Sequence, residues 1–302
     1  MEKFQDIVSP NVRDCIAVTF ITVGGVVVLT RVSGSILKWI SAKNVERRWK
    51  HTPKDVVILH QIPPAVAAPN ASPFALKLET YLRMAKIPYE NDFVDGMGPK
   101  GKTPWITLNG QHISDSQLCI EFLAKKFERK IGNHSDEEMA ISAMARIMMD
   151  EHFYWGLLMW RYVHSLPKGF GPEKVFSFPL PKFVVKMLLS LNIRRKVYIA
   201  AWIQGLARHS EDEIVQIISN DLQVLSKLLG NKKFMLGDEP CEDDCAIFGE
   251  LAQALWCMPG SPYEKLLNGE LQNLKEYCLR MKDVYWQDWE SSKVLPQTWL
   301  MS

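Results

Sequence analysis

The run from Lys102 to Phe127 most constrains what this chain can fold into. Thr103-Pro104 leads into Trp105-Ile106-Thr107-Leu108, Asn109-Gly110 turns the chain, Gln111-His112-Ile113 returns, and Asp115-Ser116 opens an apolar-periodic stretch to Phe127. Asn-Gly between two apolar runs predicts a two-residue hairpin loop, because both central residues of a type I′ turn need positive φ. Proline at the hairpin entry has no N–H for a ladder, so it belongs on an edge or at the first strand position, and an X-Pro bond is where a cis peptide is accessible. A hairpin followed directly by a capped helix places one end of a sheet beside a helix N-terminus.

That juxtaposition has a chemical meaning. A cis bond before Pro104 turns the backbone polar groups of Thr103 outward, where they can pair with the backbone of a peptide. The helix start at Asp115-Ser116 presents free N–H groups and a positive partial charge that favour a carboxylate, and Asp115 can hold an ammonium group beside it. One end suits a peptide and the other a zwitterionic amino-acid head.

The remaining pattern predicts a small α/β domain followed by helices. Asp55–His60 reads as a buried strand, Gln61–Ala71 as a Pro- and Ala-rich loop, and Ser72-Pro73 as a helix start with serine at the N-cap and proline at the first turn. Pro88–Phe93 reads as a second strand, and a Gly- and Pro-containing stretch through Gly101 leads to the hairpin. The expected order is β-α-β-α-β-β-α over residues 55–130, with a boundary at 128–135. Residues 136–290 are helical in pattern and 291–302 form a tail. Ser210-Glu211-Asp212-Glu213 is a capping box whose helix ends at Gly230, and a further helix begins near Glu242. With 302 residues, 47% of them hydrophobic, the chain can bury two cores, and its formal net charge of +2 does not suggest a nucleic-acid partner. The six cysteines lack the spacing of a secreted scaffold and fit a reducing compartment. Cys241-x-x-x-Cys245 has no second pair or adjacent histidine to complete a zinc site, so no metal is expected.

Several stretches together carry a resemblance. Ile58-Leu59-His60-Gln61, Ser72-Pro73-Phe74, Leu76 through Met84, Pro104-Trp105-Ile106, Glu151-His152-Phe153-Tyr154-Trp155 and Phe248 through Ala254 resemble the failed-axon-connections and metaxin-like branch of the glutathione-transferase-fold proteins, which includes cadmium-responsive glutathione-transferase-like proteins. The resemblance spans roughly residues 55 to 290. It implies a thioredoxin-like α/β N-terminal domain and an all-α C-terminal domain, with glutathione as ligand or substrate held by Thr103, Pro104, Asp115 and Ser116. It also puts Ser72 at the first-helix position where a transferase serine stabilises the glutathione thiolate, although any Ser-Pro helix cap would look the same. The family commonly has Ser-Pro-Phe-Cys here. Ala75 stands in place of that cysteine, which removes the thiol for a disulfide cycle at this motif. Asp244 occupies the family's acidic capping place in the second domain, while Cys241 replaces the usual Ser or Thr. The aromatic run Phe153 to Tyr162 fits an interdomain core or the wall of a hydrophobic co-substrate pocket, and His152 reads as a packed or capped histidine.

Outside the resemblance lies a membrane signal. Ile16–Thr30 is uncharged and rich in Val, Ile and Leu, and would span about 22 Å as a helix against a ~30 Å hydrocarbon core. Extension through Leu37 adds only Arg31, so residues 16–37 are expected to form a short anchor within an N-terminal region 1–54. Arg31, Lys38, Lys43, Arg47, Arg48 and Lys50 then follow against Glu46 alone, which places the globular part on the cytoplasmic side, at the mitochondrial outer membrane or an endomembrane. A second stretch, 174–210, has no acidic residue and sets Lys182, Lys186, Arg194, Arg195 and Lys196 among apolar and aromatic residues, the composition of a membrane contact. The leading functional expectation is a membrane-anchored interaction protein, in axonal development or in assembly with protein partners or as a homodimer. The alternative is a glutathione transferase acting on electrophiles or in metal stress.

Overall fold

Four short strands set the frame. In this computed structural model residues 49, 52–165 and 193–294 are described. Strand β1 (Val57–His60) pairs parallel with β2 (Tyr89–Asp92) and antiparallel with β3 (Trp105–Leu108), and β3 pairs with β4 (Gln111–Ser114), in the spatial order β2-β1-β3-β4. Asn109 and Gly110 have φ of 49° and 80°, the two positive values of a type I′ turn. Asp55 falls outside β1: its φ of 63° places it in a turn, tied to the hairpin by a 2.7 Å bond from Asn109 Nδ2 to its carboxylate.

Helices α1 (Pro73–Met84) and α2 (Ser116–Phe127) cover one face of the sheet. Strand alternation sends Val57, Leu59, Ile106 and Leu108 toward Leu78, Tyr81 and Leu82 of α1 and Ile120 and Leu123 of α2. On the opposite face His60 stacks on Trp105 with 3.6 Å between ring centroids. Its Nδ1 meets Asp92 at 2.6 Å and its Nε2 meets Thr107 at 2.8 Å. The helix expected between the second and third strands does not form. Residues 93–104 run through turns instead, and the indole N–H of Trp105 donates to the Asp95 carbonyl at 2.7 Å. A Cβ at Gly96 would lie 2.8 Å from the Gln61 carbonyl, and one at Gly98 2.7 Å from the Trp105 ring, so this segment lies closer to the sheet face than a helix with side chains could.

The second part is helical. Helix α3 (Asp136–Met148), capped by the Ser135/Glu138 box, continues through a π turn (Met149–Phe153), α4 (Tyr154–Leu158) and a second π stretch (Met159–His164). After residues 166–192 come α5 (Arg194–Gln204), α6 (Glu211–Leu229), α7 (Asp244–Trp256), α8 (Pro262–Asn268), α9 (Gln272–Tyr285) and α10 (Trp289–Ser292). The Ser210/Glu213 capping box opens α6, and Gly230 ends it with φ 55°. At α7 the Asp244 carboxylate accepts the Cys241 N–H at 2.7 Å, so the acid keeps its capping role although a cysteine stands where the hydroxyl cap is usual.

Helix α7 joins the two parts. Twelve of its thirteen residues, Asp244 to Leu255, are buried, and Gly249 lets it press on α1: a Cβ there would sit 2.6 Å from the Pro73 carbonyl. Arg83 of α1 lies 3.8 Å from the Trp286 ring and pairs with Asp288, and Trp286 donates to Thr80 at 3.0 Å. The expected anchor, 16–37, lies outside the described residues. Among the described residues no helix is long and apolar enough to cross a membrane.

Candidate ligand-binding cleft

The hairpin entry and the start of α2 meet α1 and the end of α3 around a cleft of about 190 Å³. Thr103, Pro104, Asp115 and Ser116 all line it. Opposite them stand Phe74 and Lys77 of α1, Arg146 and Ile147 of α3, and Asp150 and Glu151 of the π turn. The Thr103-Pro104 peptide is cis. Asp115 holds φ 88°, and its Oδ1 accepts the N–H groups of Gln117 at 3.0 Å and Leu118 at 3.3 Å. One oxygen of this exposed carboxylate therefore caps α2, which leaves the other to face a cation.

Three buried polar atoms around the cleft have no protein hydrogen-bond partner: Thr103 Oγ1, Gln117 Oε1 and Asp150 Oδ1. Buried polar atoms are rarely left unpaired, since each unmade bond costs about 1–3 kcal/mol. Thr103, Gln117 and Asp150 all line the cleft, with these three atoms themselves enclosed by the surrounding protein.

Ser72 sits elsewhere. It is the N-cap of α1, its Oγ accepts the Ala75 N–H at 3.3 Å, and it is outside the residues lining the cleft. The Asn70 side chain accepts the Ser72 N–H at 2.8 Å. Its hydroxyl proton is not used by the cap, so the group can still donate. Ala75 beside it is fully buried.

Charges not anticipated from the sequence form the cleft floor. Lys77 is 1% exposed, and its ammonium donates to Asp150 Oδ2 at 2.6 Å. Arg146 Nε donates to Asp243 at 2.7 Å and its guanidinium lies 3.7 Å from Asp150. Behind them Glu250 of α7 is 1% exposed with neither carboxyl oxygen hydrogen-bonded, and burial, then the charge of Asp150, pushes its carboxyl well above the usual carboxylate range. Arg161 donates to the Ala71 carbonyl at 2.8 Å and to Gln253 at 2.9 Å, which fixes the loop ahead of Ser72. The clue in the sequence was a charge inside an apolar run: Leu76-Lys77-Leu78 on the buried face of α1, and Gly249-Glu250-Leu251 in α7.

Phe153 and Trp160 are buried in the helical core, while Tyr154 meets Phe74 edge to face at 4.7 Å beside the cleft. His152 is paired with Asp221 at 2.7 Å. Burial pushes the thiol of Cys119 up to about 12 and that of Cys257 up to about 11, and it raises Cys241, Cys245 and Cys278 as well. Arg194, Arg195 and Lys196 are exposed at the start of α5, and Lys182 and Lys186 lie outside the described residues. The exposed apolar residues of α5, Tyr198, Ile199, Trp202 and Ile203, were not singled out from the sequence, where their spacing resembles that of an ordinary amphipathic core helix.

Comparison with known proteins bears on the family and the fold. Residues 73–166 match the glutathione S-transferase N-terminal domain and residues 218–281 the glutathione S-transferase C-terminal domain. Failed axon connections of Drosophila melanogaster is 30% identical over 256 residues, 78% of this chain and 60% of that protein. Metaxin-1 of Macaca fascicularis is 33% identical over 240 residues, 76% of this chain and 74% of its own length. The chain belongs to the metaxin-like family of glutathione-transferase-fold proteins. An isoprene-epoxide glutathione S-transferase of Rhodococcus is 27% identical and is covered over 96% of its length by 74% of this chain. Among solved structures, a beta-etherase from Sphingobium superposes with a TM-score of 0.51 at 15% identity, over 75% of this chain and 94% of that one, which is a likeness of fold. The chain thus spans about three fifths of the length of Failed axon connections.

Proposed function

We propose that this metaxin-like protein binds glutathione in the cleft between the hairpin entry and α3, and acts through binding, as a membrane-held interaction protein in axonal development. The observation that carries the binding step is that Thr103 and Pro104 at the hairpin entry and Asp115 and Ser116 at the start of α2 line one cleft. In this reading the Thr103 backbone pairs with the central residue of the tripeptide. The start of α2 at Ser116 receives the γ-glutamyl carboxylate, and the free oxygen of Asp115 receives its ammonium group. Residues 16–37 hold the chain at a mitochondrial outer membrane or endomembrane, a role supported by their hydropathy and basic flank, and the axonal role is supported by the likeness to Failed axon connections.

Calorimetric titration of glutathione tests the binding step. Saturable binding is expected, lost in Asp115→Ala. Asp115→Asn keeps a good cap and removes the negative charge, so it is expected to bind about tenfold more weakly with stability unchanged. Absence of heat at millimolar glutathione would overturn the reading.

A second reading is favoured by the likeness to the Rhodococcus enzyme, which extends over nearly all of that protein. In it Ser72 stabilises the thiolate and the chain conjugates electrophiles. Turnover of an epoxide with glutathione that falls in Ser72→Ala would establish it, and binding without turnover would leave the first reading.

A further inference from the structure

We infer that the outer face of α5 is a docking surface for an anionic lipid bilayer. This concerns a face other than the cleft and does not depend on glutathione binding. Of the eleven residues of α5, only Ala201 is buried, with Val197 packed at the core's margin. The large apolar residues point the other way: Tyr198, Ile199, Trp202 and Ile203 are 42%, 46%, 47% and 74% exposed. They fall at i, i+1, i+4 and i+5, which on a helix is one continuous stripe. A helix resting on a soluble core ordinarily turns its charged face outward, and a contiguous exposed apolar patch marks a surface that meets something apolar.

The charges identify the occupant. Arg194, Arg195 and Lys196 stand exposed at one end of the stripe. Arg208 stands at the other, its guanidinium 5.9 Å from the Trp202 ring and its Nε donating to the Trp202 carbonyl at 3.2 Å. From Arg194 to Ser210 the chain has no acidic residue, and the first acids come in the opening turn of α6. Aliphatic groups flanked by cations, with one tyrosine and one tryptophan, make up the composition of an interfacial helix: apolar groups enter the headgroup boundary, aromatics sit at its level and cations meet anionic lipid. A second copy of the chain fits less well. A two-fold contact through this face would bring cations against cations in either direction, because every charge on it has one sign. Beside α5 a groove of about 460 Å³, lined by His152, Arg208 and His209 among others, gives a lipid phosphate a place next to the stripe.

The test uses the full chain with Cys15→Ser and Ile203→Cys, labelled at position 203 with an environment-sensitive fluorophore. The five described native cysteines are all buried and so escape the label. Vesicles of phosphatidylcholine, alone or mixed with phosphatidylserine, carry brominated acyl chains as quenchers. Quenching is expected with the anionic vesicles and not the neutral ones, and added salt should weaken it. At roughly fivefold per cation, the combined change Arg194→Glu, Arg195→Glu, Lys196→Glu should shift the equilibrium against contact by at least about a hundredfold. Trp202→Ser should also reduce quenching. The inference fails if anionic vesicles do not quench the label, or if charge reversal leaves quenching unchanged. It also fails if the label is already in an apolar environment without lipid. In that case independence from protein concentration would point to residues 166–192 as the cover, and concentration dependence to a second copy.

Discussion

The cleft floor and the outer face of α5 depart from the usual distribution of residues in opposite directions. At the cleft, Lys77, Asp150 and Glu250 are charged residue types taken into the interior; on α5, Ile199, Trp202 and Ile203 are apolar residues left in water. The interior group is tightly interlocked: Lys77 has an ion pair at 2.6 Å, Arg146 ties Asp150 to Asp243, and α7 presses on α1 through Gly249. In the surface group Trp202 meets only the Tyr198 ring and the Arg208 guanidinium among the described residues, and Ile203 is 74% exposed. A buried charge must be satisfied inside the fold, so it reports on architecture as well as on a ligand. An exposed apolar stripe does nothing for the folded chain alone, so it reports on what the chain meets. The two regions should therefore respond to substitution in different currencies, stability for the first and association for the second.

The largest effect is expected at Lys77. Lys77→Met leaves the buried Asp150 carboxylate without its ammonium partner and should lower unfolding free energy by about 3–5 kcal/mol, while the paired change Lys77→Met, Asp150→Leu should recover most of the loss. Denaturant unfolding of the three variants checks this. A small loss in the single variant would mean that the cleft floor is hydrated and the contrast with α5 overstated.

Glu250 gives the next effect, and it depends on pH. Its folded-state pKa lies above the unfolded value of about 4.3, so the folded chain holds more protons than the unfolded one above that pH. Its contribution to stability is then fully present below about pH 4.3 and is lost as pH rises through the folded pKa, with a slope of up to about 1.4 kcal/mol per pH unit. Glu250→Gln should remove that slope and stabilise the protein in the alkaline part of the window. Melting curves between pH 4 and pH 9 would show it, and parallel curves for parent and variant would contradict a buried neutral acid.

At Ser72 a change of about 1 kcal/mol is expected for Ser72→Ala from the lost cap on Ala75, with Ser72→Asn close to the parent. The smallest change in stability belongs to α5: Ile203→Ser should move unfolding by no more than about 0.5 kcal/mol, although the same position should govern vesicle contact. A loss of several kcal/mol there would show that the stripe is covered by the chain itself.

Much of the fold was legible because local signals agreed with it. The Asn109-Gly110 turn, the Ser72-Pro73 and Asp115-Ser116 helix starts and the Ser210/Glu213 box each draw on groups within a few residues, so a linear reading captures them. The missing helix between β2 and β3 was misread because its absence depends on packing. Gly96 and Gly98 are needed where the segment lies against Gln61 and Trp105, positions distant in the chain. Of the cleft, the wall from Thr103 to Ser116 was readable as one contiguous run. The opposite wall was not, because Lys77 and Asp150 are 73 residues apart and nothing local pairs them.

The sequence by itself determined the capped helices, the hairpin and its register, the family, and a strip of residues suited to a peptide and an amino-acid head. Those follow from backbone conformations and short-range hydrogen bonds that particular residues impose wherever they occur. Tertiary structure alone decided that Ser72 lies outside the cleft lining, that Lys77 and Asp150 form the cleft floor with Glu250 buried behind them, and that α5 turns its apolar stripe outward. Burial and charge pairing are properties of distance in space, and for these residues that distance was set by how α1, α3 and α7 pack together.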